Sequence, residues 1–209
     1  MRTSADKPPV HEVSGAALAF FLWFVTFYLG GPNFWLKITL SSLALAVYAS
    51  WRGALEQNVL SFDLKAIGQG VVAAAALYAI FWAGGEISSF VLPFAGSQIA
   101  DIYGKGPGFP RPVVFFLLLV VTGPCEELFW RGFLQKGLMD RYGRWAGFVL
   151  TTAVYSLVHL WSFNFMLVCA ALVAGAFWGF LYMRLGRLDV VIVSHALWSS
   201  VIFAVFPVA

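Results

Sequence analysis

Apolar residues in this chain gather in long blocks instead of alternating with polar ones. A membrane-crossing helix needs about 20 mostly apolar residues, and roughly seven stretches approach that length: residues 16–31, 34–51, 71–94, 112–130, 145–161, 165–183 and 190–206. The segments GGPN, SFDLKAIGQG, GSQIADIYGKGPGFPRP, KGLMDRYGR and RLGRLD separate them and carry the Gly, Pro and charged residues that punctuate helices. In lipid every backbone polar group needs an internal partner, which leaves helices or closed barrels. The pattern therefore predicts an all-α, polytopic membrane bundle of about seven to eight transmembrane helices. Residues 61–70 are a candidate interfacial helix. Residues 1–14 read as a polar cytoplasmic tail ahead of a retained first span, not as a removed signal peptide. Residues 15–209 read as one transmembrane domain, with no internal repeat and no loop long enough to bury a core of its own.

Composition and charge sharpen this picture. Of 209 residues, 61% are hydrophobic and 11% charged, with 21 Phe and 9 Trp, too little polar surface for a water-soluble domain of this size. The net charge of +3 is no nucleic-acid footprint, because the basic residues sit in short segments between spans and form no stripe. Lys and Arg in short loops favour the cytoplasmic face. With the N-terminus inside, Arg2, Lys7, Arg52, Lys65, Lys136, Arg141, Arg144, Arg184 and Arg187 fall on that face, and Lys37, Lys105 and Arg111 on the other. The expected location is the cell membrane, multi-pass, among membrane lipids. Cys125 and Cys169 match neither a disulfide framework nor a zinc pattern.

An ionisable side chain within a span costs roughly 2.5–3.5 kcal/mol on insertion scales, so each implies a partner or a function. Glu86, Glu126, Glu127, Arg131, His159 and His195 are such groups. Glu127 and Arg131 are four apart with the acid first, the favourable order for an intrahelical ion pair. Glu126 lies on another bearing of that helix, at about 100° per residue, and stays available for chemistry. Gly123 followed by Pro124 predicts a break and restart, with Pro124 tolerated in a first turn and Glu126 kept ionised by the positive helix end.

Tyr155 lies one turn before His159, and Ser199 one turn after His195. Helices that bury these groups turn them towards one another. A Glu with two His can hold a catalytic zinc, but the chain has no HExxH and no close His pair at helical spacing. The metal-free alternative needs no cofactor: a Glu and a His share a water, and a second His and a hydroxyl donate to the developing oxyanion of a peptide. Cys125, Ser156 and Ser194 are poorer candidates as nucleophiles, because none stands well against a base. Glu86 lies among small residues that allow close helix approach, where it would pair with another span or edge a substrate path.

Together these residues resemble the CAAX protease and bacteriocin-processing family of intramembrane glutamate proteases, which includes the type II CAAX prenyl endopeptidases. Glu126, Glu127 and Arg131 match its Glu-Glu-x-x-x-Arg motif. Tyr155 to His159 matches Phe-x-x-x-His with Tyr for Phe, and His195 to Ser199 matches His-x-x-x-Asn with Ser for Asn. The likeness covers residues 112–206. It implies that Glu126 and His159 activate the attacking water, that His195 and Ser199 hold the oxyanion, and that Glu127, Arg131 and Tyr155 brace the site. A serine hydroxyl is a shorter donor than an asparagine amide and points differently. The implied substrate is a membrane-tethered or lipidated peptide: a prenylated C-terminus, a leader peptide or a C-terminal sorting segment. Positive-inside counting of Arg131 and Lys136 puts the cut near the cytoplasmic end. The family also includes members that serve in bacteriocin immunity or as membrane scaffolds, which is the rival expectation. A small transporter is a third, disfavoured by the missing repeat.

Overall fold

The computed structural model describes residues 10–31, 33–105 and 108–208; the expected N-terminal tail, with Arg2 and Lys7, lies outside them as far as residue 9. Among the described residues eight helices follow one another, with no strand: α1 Val10–Phe27, α2 Phe34–Trp51, α3 Leu64–Val91, α4 Ala95–Gly104, α5 Arg111–Tyr142, α6 Arg144–Val158, α7 Phe165–Leu185 and α8 Leu188–Ala204. A 3-10 turn, His159–Ser162, extends α6. Helices α1, α2, α3, α5 and α7 are long and apolar enough to cross a membrane, and α8 is a shorter apolar helix. The chain is an all-α, multi-pass membrane bundle.

Local chemistry sets the helix ends. Asn33, Asp63 and Asn164 cap α2, α3 and α7 by accepting from Trp35, Ala66 and Leu167 N–H, the usual task of a short polar side chain at a helix start. Gly143, at φ 87°, makes the turn between α5 and α6, a conformation that costs glycine little.

Helix α5 corrects one expectation. Gly123 and Pro124 do not break it; the helix runs on through two π-helical stretches, Leu118–Thr122 and Leu128–Gln135. Proline withholds one N–H and its ring crowds the preceding turn. The wider π turn just before Pro124 accommodates that crowding while keeping the backbone bonded, as Gly123 N–H to Leu118 O shows. A true break in lipid would leave more groups unpaired. Glu126 thus stands mid-helix, and no positive helix end lies beside it.

Two further segments differ from the sequence pattern. Residues 64–70 are not a separate interfacial helix but the first turns of α3. Its 28 residues extend about 42 Å at ~1.5 Å each, more than the ~30 Å hydrocarbon layer. Gly70 serves packing and interrupts nothing: a Cβ there would lie 2.5 Å from Val193 Cγ1 of α8. Residues 95–104, expected as loop, form α4, which is too short to span.

The bundle is inside-out by the standards of a soluble protein. Leu64 and Phe90 are 89% and 92% exposed, while Glu127 and Arg131 are 0% and 1% exposed; lipid-facing apolar rings and inward polar groups are what a bilayer solvent selects. One apolar cluster gathers Trp23, Phe129, Trp130 and Tyr155, and a second gathers Leu77, Trp178, Leu188 and Trp198. Leu128 of α5 packs on both. At the other end of α8, Asp189 Oδ2 accepts from the Ser61 and Phe62 N–H groups, each at 3.1 Å. Arg187 bridges Asp189 at 2.7 Å and Asp63 at 3.0 Å, so the starts of α3 and α8 are clamped together.

Candidate active site

Helix α5 contributes Glu126, α6 Tyr155, the 3-10 turn His159, and α8 His195 and Ser199, and all five line one cavity of ≈ 430 Å³ with otherwise largely apolar walls. Each is at least nine-tenths buried. The sequence-predicted residues are therefore brought together.

Their pairing is more particular than the spacing suggested. Glu127 Oε1 accepts from Arg131 Nη1 at 2.7 Å, the expected ion pair, and also from His195 Nδ1 at 2.6 Å. His195 thus hydrogen-bonds Glu127, not Glu126, and Tyr155 and Glu126 line the same cavity. With its Nδ1 proton on a carboxylate, His195 has a fixed tautomer and orientation; no described residue hydrogen-bonds its Nε2. Trp178 of α7 stacks on the His195 ring at 3.9 Å and 16°, and its indole N–H donates to Ser194 Oγ at 3.1 Å.

Helix α7 anchors this network through its backbone. Arg131 Nη2 donates to Gly175 O at 3.2 Å and Gln135 Nε2 to Gly179 O at 2.7 Å, while Arg144 reaches Met183 O. Gly175 has no room for a side chain: a Cβ would lie 2.8 Å from Tyr155 Cδ1. Small residues bring the backbones close enough for such contacts, and the Arg131 guanidinium lies 5.0 Å from the Tyr155 ring centre.

His159 is held on both sides. Its Nδ1 meets Tyr155 O at 2.7 Å, and Trp23 Nε1 of α1 approaches its Nε2 at 3.2 Å. An indole N–H only donates, so Nε2 accepts and Nδ1 carries the proton. Ser199 Oγ donates weakly to Ala196 O, at 3.3 Å. Trp23 and Trp178 escaped the sequence reading, since a tryptophan in an apolar block reads as packing and nothing links Trp23 to a histidine 136 residues later.

The other candidates are elsewhere or engaged. Cys125 faces an apolar groove with Pro124 and Leu128, away from Glu126. Ser156 Oγ donates to Val168 O at 3.1 Å. Glu86 is exposed on α3 and hydrogen-bonds no other helix among the described residues, so the expected pairing with another span does not form; its neighbours Gly84, Gly85 and Ser88 line the cavity. The cavity extends from Glu126 towards Lys105 and Phe165, away from Arg131 and Lys136, which corrects the expectation of a site near their end. Arg131 marks no membrane surface, because its charge is met inside the bundle by Glu127 and Gly175 O.

Residues 108–201 match the family model of type II CAAX prenyl endopeptidases, Rce1-like. No curated protein and no solved structure matches the chain. The matched stretch holds Glu126, Glu127, Arg131, Tyr155, His159, His195 and Ser199, so the part of the chain that lines the cavity is similar to the Rce1-like, type II CAAX prenyl endopeptidases.

Proposed function

We propose that the chain is a glutamate-type intramembrane endopeptidase that hydrolyses a peptide bond in a membrane-tethered or lipidated substrate and uses no cofactor. The carrying observation is the convergence of Glu126, His159, His195 and Ser199 on one cavity, with Glu127 committed to Arg131 and His195. Glu126 takes a proton from a water as its oxygen attacks the peptide carbonyl. The oxyanion meets His195, oriented by Glu127, and the hydroxyl of Ser199. On collapse the C–N bond breaks and Glu126 passes the proton to the leaving amine. His159 steadies the water from its other side once that water replaces the Trp23 indole at Nε2. Arg131 holds the Glu127 carboxylate in place, and Tyr155 packs between the Arg131 guanidinium and the His159 ring.

Purified protein in detergent, given a library of tethered peptides, tests this. Cleavage that survives chelator but is lost in Glu126→Gln and His195→Ala supports the glutamate mechanism; loss with chelator overturns it. A second reading, a non-catalytic scaffold of the same bundle, draws on one observation: both His159 nitrogens and the Ser199 hydroxyl are already bonded within the protein. Under that reading the variants leave every cellular function of the protein intact.

A further inference from the structure

The cavity has a definite direction across the membrane, fixed by which part of each helix lines it. Phe27 ends α1 and Phe34 begins α2; Gly84 and Ser88 lie late in α3; Leu118, Thr122 and Glu126 belong to the first half of α5. His159 follows α6, Phe165 begins α7, and Phe203 lies in the last turn of α8. Helix α6 is not among the five long spans but runs antiparallel along α7, with Arg144 at Met183 O and Ser156 at Val168 O; with successive helices alternating in direction, the ends of α1, α3, α6 and α8 and the starts of α2, α5 and α7 share one membrane face, opposite the start of α1. The cavity reaches that face between α4 and the beginning of α7, where Lys105, Ile99 and Met166 line it. Towards the other face Arg131, Trp130 and Gln135 are buried and close it off.

An independent observation says which face is which. Arg52, Lys65, Lys136, Arg141, Arg144 and Arg187 lie at the closed end, against Lys37, Lys105 and Arg111 at the open one. Basic residues in short loops mark the cytoplasm.

We propose that the cavity opens to the extracytoplasmic side, so that the substrate is a peptide presented from that face: a translocated segment, or a chain anchored in the outer leaflet, with its apolar part along the cavity walls. The inference rests on the peptidase reading above, and it separates this chain from an enzyme that trims lipidated tails in the cytoplasm. Lys105 is the charged group nearest the mouth among the cavity residues, suited to an acidic or carboxylate-bearing stretch beside the scissile bond.

Two measurements decide it. In a background with Cys125→Ala and Cys169→Ala, exposed positions at the two ends receive single cysteines, Ser97→Cys on α4 and Glu56→Cys between α2 and α3. A membrane-impermeant maleimide is expected to label Ser97→Cys in intact cells and Glu56→Cys only after permeabilisation. In vesicles of known orientation, a fluorogenic peptide tethered in the outer leaflet is expected to be cut by right-side-out preparations, not by inside-out ones, with the signal lost in Glu126→Gln. Reversed labelling, or cleavage confined to inside-out vesicles, overturns the inference while leaving the peptidase standing. Labelling as expected with no cleavage from either face overturns the peptidase reading, and the substrate assignment with it.

Discussion

Two of the arginine–carboxylate networks in this bundle differ in what they leave unpaired. At the start of α8, Asp189 is fully buried and both its oxygens are satisfied: Oδ1 by Arg187 Nε at 2.9 Å and Val190 N–H at 3.0 Å, Oδ2 by Ser61, Phe62 and Arg187. In the interior, Glu127 and Arg131 are equally buried, yet Glu127 Oε2 and Arg131 Nε have no hydrogen-bond partner among the described residues. A buried polar atom left so costs about 1–3 kcal/mol. Native proteins keep such costs mainly where function needs them. The outer network closes on itself and serves the fold; the inner one stops short of completion beside the residues that line the cavity.

The contrast can be broken most directly at Arg131. Arg131→Met leaves the Glu127 carboxylate without its ion pair inside the bundle, and removing one partner of a buried pair costs about 3–5 kcal/mol. Thermal unfolding in detergent should show a large drop in midpoint, partly recovered by Glu127→Gln combined with Arg131→Met. If Arg131→Met is no worse than Arg187→Met, the two networks are equivalent and the distinction fails.

Gly175→Ala comes next. Its Cβ would press on Tyr155 at 2.8 Å, and overpacking of this kind costs about 1–3 kcal/mol. Displacing Tyr155 also disturbs the cavity wall that it shares with Glu126 and His159, so cleavage should fall further than stability does; a proportionate fall would mean that Tyr155 only packs.

Trp23→Phe removes the indole donor from His159 Nε2, a loss of about 1 kcal/mol for one neutral hydrogen bond. With Nε2 released, peptide cleavage should be kept or raised. A loss of cleavage without unfolding would show that Trp23 positions a structural His159.

The smallest effect belongs to the outer clamp. The Ala66 N–H, and after it Arg187, hold the Asp63 carboxyl below the usual aspartate range. A depressed folded-state value gives stability that is complete above the unfolded pKa, about 3.9, and is lost as pH falls through the folded value. Unfolding midpoints recorded from pH 6 down to about pH 3 should therefore decline slightly more in wild type than in Asp63→Asn. Identical profiles would remove Asp63 from the clamp.

Much of this was legible in the sequence, for identifiable reasons. Apolar block length alone located the spans, and α2 begins and ends where its block does, at Phe34 and Trp51. The intramembrane cost of charge singled out Glu126, Glu127, Arg131, His159 and His195, because few other reasons keep such groups there. Spacing along one helix found the Glu127–Arg131 pair. It could not find His195 on Glu127, because that contact depends on how closely α5 and α8 approach: a Cβ on Gly123 would lie 2.9 Å from Ala196 Cα. Nor could it tell a π turn from a break at Pro124, since both answer the same local crowding and only the surrounding lipid selects between them.

The carbonyls of Gly175, Gly179 and Met183 form a rail along α7 with notches four residues, about 6 Å, apart. Arg131, Gln135 and Arg144 each seat in one notch. Slipping α7 by a single residue turns every notch through about 100° and unseats all three side chains at once. Deleting one residue between 175 and 183 would thus dismantle the alignment of Glu127 and His195 while sparing both of them, so the spacing within α7 belongs to the site as much as the residues that line it.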